Sequence, residues 1–502
     1  MGRFRFSHTA EGFFVPGSGR VNRSLFFAPR AQNDISPELL IFSCDAMSYS
    51  NEVNICPQEV SSRSLADRQA PVVILGAGLT GLSAAYHMTA KPTLLVERAS
   101  DVGGHARSER WNGHTFDVTG HWLHLRDPRV QKLVAGLFQQ GELTEIERRA
   151  SVLSHGVLVA YPFQANLYGL PPEVVQECLV GFVKAREAAA SNNGHEPRTF
   201  EEYAVTRFGD GITRHFFVPY NSKLFGMHPN CLTASWVSRY IPVPEIHEVI
   251  GGAIGLQQQG LGYNPRFLYP KKGGIDALPK GLLSGIEDRA RCELQTGTEV
   301  EDVDPFAGRV KLAGAPDWID YDSLISTIPL PELIRRIPKA PSRIQGFAQN
   351  LRCVKWRYLN VATRTRSPAD YHWVYVPEDR YPFFRVGVFS NAAPTMAPPG
   401  AGSLYVELTD RSGSPNIAEI VQALENIGAI AAAGDVTRAE LREIEYAYVI
   451  FDDAYEESTR AIHEWLQKIG ILSCGRYGAW IYNSMEDSII QGMEAALWAE
   501  RK

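Results

Sequence analysis

The hydrophobic pattern is blank at first and then abruptly regular. Residues 1 to about 68 mix Ser, Asn, Arg and Pro without a sustained period of 2 or 3.6, the spacings that mark strands and helices. Order begins at Pro71. Val72-Val73-Ile74-Leu75 is a short unbroken apolar run, as expected of a parallel strand covered on both faces. Gly76-Ala77-Gly78 breaks it, and Leu82, Ala85 and Tyr86 follow at helical spacing. Thr93-Leu94-Leu95-Val96-Glu97 then predicts a second strand, completing a strand–helix–strand unit. Residues 125–270 read as mostly helical, with loop breaks at Ser191–Gly194 and around Gly260–Pro265. From about 295 the texture becomes strand-like, and residues 351–410 alternate and are aromatic-rich, which predicts a sheet. A last helix is expected near Ser484, with Ile489, Met493, Ala496 and Leu497 on one face.

Composition narrows the class. A chain of 502 residues gives a soft prior of about three folding units, and 44% hydrophobic content can fill a large core. The net charge of −6 does not suggest a nucleic-acid or anionic-membrane binder, though a local basic pocket stays compatible with it. No apolar run approaches the roughly 18 residues that a membrane span needs. The seven cysteines (44, 56, 178, 231, 292, 353 and 474) show no Cys-x-x-Cys spacing. A disulfide framework or a thiolate zinc site is therefore not expected, and a reducing, cytoplasmic compartment fits. The first 30 residues carry Arg3, Arg5, Arg20, Arg23 and Arg30 against one acid, Glu11. That start reads as a disordered tail, an over-long start or an organelle-targeting leader.

The strand–helix–strand unit carries chemistry. Gly76-x-Gly78-x-x-Gly81 directly follows the strand and opens the helix. The first glycine allows the tight turn, the second lets backbone approach a pyrophosphate, and the third lets helix and strand pack closely. Glu97, at the end of the second strand, is placed to accept hydrogen bonds from a ribose 2′-hydroxyl. An acid at that position disfavours a 2′-phosphate, so the expectation is a dinucleotide site.

Further motifs carry a resemblance. Val102-Gly103-Gly104-His105-Ala106-Arg107-Ser108 and Phe116-Asp117-Val118-Thr119-Gly120-His121 follow the ribose acid. Together with Thr296–Val300, Ser326–Pro329 and Gly475-Arg476-Tyr477-Gly478, they resemble the FAD-binding segments of the amine oxidase and protoporphyrinogen oxidase superfamily. The resemblance implies FAD held by Gly76, Gly78, Gly81, Glu97, Gly103, Gly104, Arg107, Ser108, Val300 and Gly475. Ser484 with Asp487 three residues on is a capping-box-like start for the last helix, whose positive end would face the flavin.

Within that superfamily the substrate-side motifs are similar to those of UDP-galactopyranose mutases, especially the eukaryotic type. These are Tyr161–Leu167, Tyr220–Phe225, Ser235–Arg239, Tyr263–Phe267, Trp373–Asp379 running on through Pro382–Arg385 to Phe389–Asn391, and Gly475–Tyr482. The resemblance implies a UDP-sugar substrate whose pyranose and furanose forms interconvert through an adduct between sugar and reduced-flavin N5. A nicotinamide, NAD(P)H, would serve at most as transient reductant. It implies that His121 lies over the flavin and that Arg239, Arg364 and Arg476 clamp the diphosphate, with Tyr448 and Tyr482 as neutral donors. Tyr161 or Phe163 would stack on uracil, Gln164 would read its edge, Asn221 would hold ribose and Asn264 a sugar hydroxyl. No metal ligand set is expected. The alternative is a redox flavoenzyme of the amine oxidase or protoporphyrinogen oxidase type, with an aromatic cage in place of converging arginines.

The implied architecture is α/β: a doubly wound (Rossmann-type) FAD domain, a helical insert and a mostly antiparallel β-sheet substrate domain. The expected boundaries are a leader at 1–68, FAD-binding stretches at 69–150, 271–335 and 441–502, a helical insert carrying the flap at 151–270, and the substrate sheet at 336–440.

Overall fold

The computed structural model describes residues 72–191, 196–237, 241–256, 265–287, 291–409, 413 and 415–502. The leader at 1–68, Arg239 and Asn264 lie outside the described residues.

The apolar run Val72–Leu75 is the middle strand of a five-stranded, all-parallel sheet. Its neighbours are Ser323–Ser326, flanked by Ile471–Ser473 at one edge, and Thr93–Val96, flanked by Cys292–Gln295 at the other. Strands far apart in sequence thus build one sheet. It is covered on both faces, which is why its middle strand shows no polar alternation. Val72 and Ile74 face a core shared with the helices Leu79–His87 and Met485–Glu500. Val73 and Leu75 face the opposite core, with Leu333 and Ile334, Ile344 and Ala348, and Ile462 and Leu466 from three further helices. The two helices of the first layer touch closely: a Cβ on Gly492 would sit 2.5 Å from the Thr80 carbonyl oxygen.

A seven-stranded sheet forms the second layer. In spatial order its strands are Val436–Val449, Cys353–Thr363, Gly402–Thr409, Arg385–Val388, Trp373–Tyr375, Ala150–Ser154 and Val157–Ala160. Every pairing is antiparallel except Trp373–Tyr375 with Ala150–Ser154. The mixed α/β fold and the mostly antiparallel second sheet agree with the sequence expectation. Helices Pro172–Ala190, Phe200–Ile212, Val218–Phe225 and Ile246–Ala253 pack around a third core centred on Phe163, Phe182, Phe208 and Phe217.

Two local expectations are corrected. Residues 143–160, read as part of a mostly helical stretch, form the strands Leu143–Glu147, Ala150–Ser154 and Val157–Ala160. The tight His155-Gly156 turn, with φ of +53° and +76°, makes the last two a hairpin. Leu497 is 53% exposed, whereas Ile489, Met493 and Ala496 are buried. The buried face of the last helix runs through Gly492, Ala495 and Ala499 instead, and Leu497 lies one step round from it. Among the described residues no helix is long and apolar enough to cross a membrane.

Candidate active-site cleft

The carboxyl ends of the parallel strands open into a cleft of about 610 Å³ roofed by the seven-stranded sheet, a volume within the range of ligand sites. Its floor is backbone. Gly76 takes φ +95°, and its N–H donates to the Val96 carbonyl at 2.7 Å, tying the turn to the neighbouring strand. The Glu97 carboxylate accepts the Ala77 and Ala99 N–H groups, each at 2.8 Å, which fixes it beside the turn with lone pairs to spare. Gly103 and Gly104, at φ +108° and +60°, bring a second turn against the first, and Gly103 N–H donates to the Ala77 carbonyl at 2.8 Å.

These features meet the requirements of a dinucleotide. A Cβ on Gly81 would lie 1.9 Å from the Gly76 oxygen, so that glycine serves close packing of helix on strand. A Cβ on Gly78 would meet no protein atom nearer than the Gly104 Cα at 4.0 Å, so the space beside Gly78 is cleft. The helix that starts there has no side-chain cap, and Gly78, Leu79 and Thr80 line the cleft at its amino end. Uncapped N–H groups at a helix start are suited to a phosphate. The last helix presents Ser484, Met485 and Ser488 to the same cleft, and its Ser484–Asp487 capping box is formed in both directions.

Side chains make the roof. Arg476 donates to the carbonyl oxygens of Asn483 at 2.6 Å and Ala447 at 3.3 Å, and its guanidinium lies 4.9 Å from the Tyr448 ring centroid and 4.8 Å from that of Tyr482. Among the described residues its partners are carbonyls, the Tyr477 hydroxyl and aromatic rings, with no carboxylate. Arg385 differs: it stands opposite Glu407 on the next strand and pairs with it, Nη2 to Oε1 at 2.7 Å, and Glu407 is 0% exposed. His121 lies within the field of both arginines. Burial, and then the charges of Arg476 and Arg385, hold its pKa down at about 4 against the pull of the Val118 and Thr119 carbonyls. Its imidazole is therefore neutral near pH 7, with a buried Nδ1 that has no partner in the protein. His105, held down to about 3 by burial and then by His121 and Arg476, meets the Tyr477 hydroxyl at 3.1 Å. Trp356, Trp373, Tyr161, Tyr375 and Tyr405 complete an aromatic lining.

Of the residues singled out in the sequence, the cleft gathers His121, Arg476, Gly76, Gly78, Glu97, Gly103, Gly104, Arg107, Val300, Gly475, Tyr161, Tyr448 and Tyr482. It does not gather Arg364, which follows the strand Cys353–Thr363, is 67% exposed and faces Asp435 at 3.9 Å. Ser108 and Asp487 are engaged within the protein, by the Asp117 carboxylate at 2.7 Å and by the Ser484 cap. Phe163 is buried against Phe216, Asn221 donates to the Phe217 carbonyl at 2.8 Å, and Gln164 is buried in a single helical turn. These three are core residues, away from the cleft. Sequence reading gave no role to Arg385, Glu407, Tyr375 or Tyr405. The signal for Arg385 was at hand, because it lies within the Trp373–Asn391 run that already carried the resemblance.

Known proteins share this fold. A crystal structure of reduced UDP-galactopyranose mutase superposes with a TM-score of 0.77 at 26% identity, covering 85% of this chain and 94% of that one. Cyclohexylamine oxidase from Brevibacterium oxydans shares the fold, with a TM-score of 0.62 at 14% identity over 86% of this chain and 99% of that one. In sequence, the protein named "Probable UDP-galactopyranose mutase" from Klebsiella pneumoniae is 24% identical over 175 residues, 34% of this chain and 45% of that protein. The matched segment thus spans under half the length of that curated relative. The model of the flavin-containing amine oxidoreductases matches residues 79–414, which takes in the helix after the first glycine turn, the second turn at Gly103-Gly104, the His121 segment and most of the roofing sheet. With two thirds of its length matched and the cleft built as a dinucleotide site, the chain belongs to the flavin-containing amine oxidoreductase family.

Proposed function

We propose that this chain is an FAD-dependent isomerase that interconverts the pyranose and furanose forms of a UDP-sugar. The observation that carries the reading is Arg476, a half-buried guanidinium lining the cleft whose partners among the described residues are backbone carbonyls, the Tyr477 hydroxyl and tyrosine rings, with no carboxylate. A buried charge without a counter-ion is costly, and a diphosphate supplies one. Arg385 adds a second guanidinium, partly neutralised by Glu407, and its charge also reaches His121.

FAD fits the floor of the cleft: Glu97 for the ribose, Gly78, Gly103 and Gly104 for the diphosphate, Val300 for the adenine half, and Gly475 with the last helix for the flavin end. Bound and reduced, it would supply the nucleophile for the anomeric carbon. The protein's part is then to position and to neutralise charge. Arg476 would hold the diphosphate as its bond to the sugar breaks, with the Tyr448 and Tyr482 hydroxyls as neutral donors. His121, uncharged, would present a nitrogen to the flavin without adding a third positive charge. Tyr161 would take the uracil, since Phe163 and Gln164 lie in the core. The crystal structure of reduced UDP-galactopyranose mutase, the highest TM-score of the structures compared above, supports this reading.

One observation favours a second reading. The aromatic lining of Trp356, Trp373, Tyr161, Tyr375 and Tyr405 is what an amine oxidase or desaturase would use to cage an apolar substrate. The positive potential from Arg476 argues against a cationic amine there. The deciding experiment gives the purified flavoprotein UDP-galactofuranose without oxygen, after reduction with dithionite or with NAD(P)H, and follows UDP-galactopyranose by chromatography. Turnover that stops on flavin reoxidation is expected. Absence of turnover with fully reduced flavin, together with oxygen consumption on an amine panel, would replace the mutase reading with the oxidase one.

A further inference from the structure

Four non-glycine residues among those described have a left-handed backbone: Asn112 at φ +44°, Thr119 at +60°, His155 at +53° and Trp480 at +59°. Such conformations are uncommon for L-residues and need a reason. For three of them the fold supplies it. Asn112-Gly113 and His155-Gly156 are the two-residue turns of hairpins, where left-handed φ matches the strand twist. Trp480 ends the short helix Gly475–Gly478: the Ile481 N–H donates back to the Arg476 carbonyl at 2.9 Å, and the indole is buried in the core.

Thr119 has neither reason. It follows the end of the strand His114–Asp117 but lies in no hairpin turn, and it is β-branched, the side-chain class least tolerant of this conformation. It is 6% exposed and lines the cleft, two residues before His121. The next position has no room for a side chain, since a Cβ on Gly120 would sit 2.3 Å from the hydroxyl of Tyr405, which itself lines the cleft. With Gly120 barred from carrying a side chain, position 119 is the nearest preceding place in the turn that can add one beside His121, and this chain fills it with a methyl and a hydroxyl at the expense of backbone strain.

We propose that Thr119 is a specificity-determining residue, whose side chain beside His121 contacts the sugar portion of the bound nucleotide sugar. The proposal rests on the UDP-sugar reading above. It deepens that reading by assigning sugar recognition, as distinct from diphosphate binding, to a residue on the His121 wall.

The test uses the full-length, flavin-loaded protein and the variants Thr119→Gly, Thr119→Ser and Thr119→Val. Binding of UDP and of UDP-galactopyranose is measured by calorimetry, and thermal unfolding is followed with and without flavin. Thr119→Gly is expected to melt at or above the parent temperature in both states, because glycine takes the left-handed backbone freely. Its UDP affinity should stay within about twofold, while its UDP-galactopyranose affinity should fall about five- to tenfold, the loss of one hydrogen bond. Thr119→Ser should restore most of that affinity and Thr119→Val little of it. Equal sugar affinity in Thr119→Gly and the parent, or a loss shared equally by UDP and UDP-galactopyranose, would overturn the assignment alone. A parent protein that binds neither ligand would overturn the UDP-sugar reading and the assignment with it.

Discussion

Two glycines of one motif should fail in opposite ways. A Cβ at Gly81 would lie 1.9 Å from the Gly76 oxygen and 3.1 Å from its carbon, both backbone atoms of the first turn. Restoring an ordinary contact of 3.4 Å would require the helix Leu79–His87 to retreat by about 1.5 Å. That helix is held from behind by Met485–Glu500, through the close approach at Gly492 and the Ser83 hydroxyl bond to the Ile489 carbonyl at 2.7 Å. A close-packed interior does not yield so far cheaply, and the upper end of overpacking costs, about 3 kcal/mol, is expected for Gly81→Ala. At Gly78 the backbone has φ −70° and ψ −180°, which valine adopts without strain, and the nearest protein atom to its Cβ is 4.0 Å away. Gly78→Val should therefore fold as the parent does, but with its side chain in the path of the cofactor diphosphate. The assay pairs the ratio of flavin to protein absorbance after purification with thermal unfolding of flavin-stripped protein. Gly78→Val should be colourless with an unchanged apo-protein midpoint, and Gly81→Ala should melt early whether or not flavin is present. Full flavin in Gly78→Val, or a parental midpoint in Gly81→Ala, would refute the division of labour between the two glycines.

Three further outcomes are expected. Arg476→Ala should keep its flavin and weaken UDP binding by about 1.5–3 kcal/mol, the range for a charge-assisted hydrogen bond, as read by calorimetry; loss of the yellow colour instead would make it a cofactor or folding residue. Arg385→Met should destabilise the protein by about 3–5 kcal/mol in urea unfolding, because Glu407 is left fully buried without its basic partner, and adding Glu407→Gln should recover much of that loss. His121 has a folded pKa depressed to about 4, so its contribution to stability is present above the unfolded histidine value and is lost as pH falls toward 4. Melting temperatures between pH 7 and 4.5 should fall less steeply in His121→Gln than in the parent, and parallel profiles would contradict a buried, neutral imidazole.

What the sequence made legible was local. The strand, glycine turn, helix and Glu97 lie within 72–97, and each signal is a short-range one: an apolar run, a steric need for glycine, a spacing. The Ser484–Asp487 capping box is equally local and is formed. Long-range pairing left weaker traces. Ala150–Ser154 belongs to the roofing sheet because it pairs in parallel with Trp373–Tyr375, more than two hundred positions on, and nothing within a short window around 150 carries that information. Phe163 and Gln164 show the same limit in the site: the run Tyr161–Gln164 reads as one binding segment, yet the single helical turn at Phe163–Ala165 sends Tyr161 to the cleft and Phe163 into the core.

The substitution of Arg385 for Arg364 as a cleft arginine has a physical explanation that the sequence also contained. Both residues adjoin strands of the same sheet, and spacing from a motif does not reveal which of them faces the cavity. Arg364 stands past the end of its strand, where solvent and Asp435 satisfy it. Arg385 begins a strand in the middle of the sheet, opposite Glu407. The informative residue is the glutamate. It sits between Val406 and Leu408 in a strand whose residues Leu404, Tyr405 and Val406 are all buried, and a carboxylate in such a place is stable as an ion only with a basic partner beside it. An acid embedded in a hydrophobic strand therefore predicts an inward arginine on an adjacent strand. Tyr405, two positions before Glu407 and so on the same face, lines the cleft and places that arginine at the cavity wall. A lone acid in an apolar strand would have located the second cleft arginine where a search for arginines at motif spacing selected an exposed one.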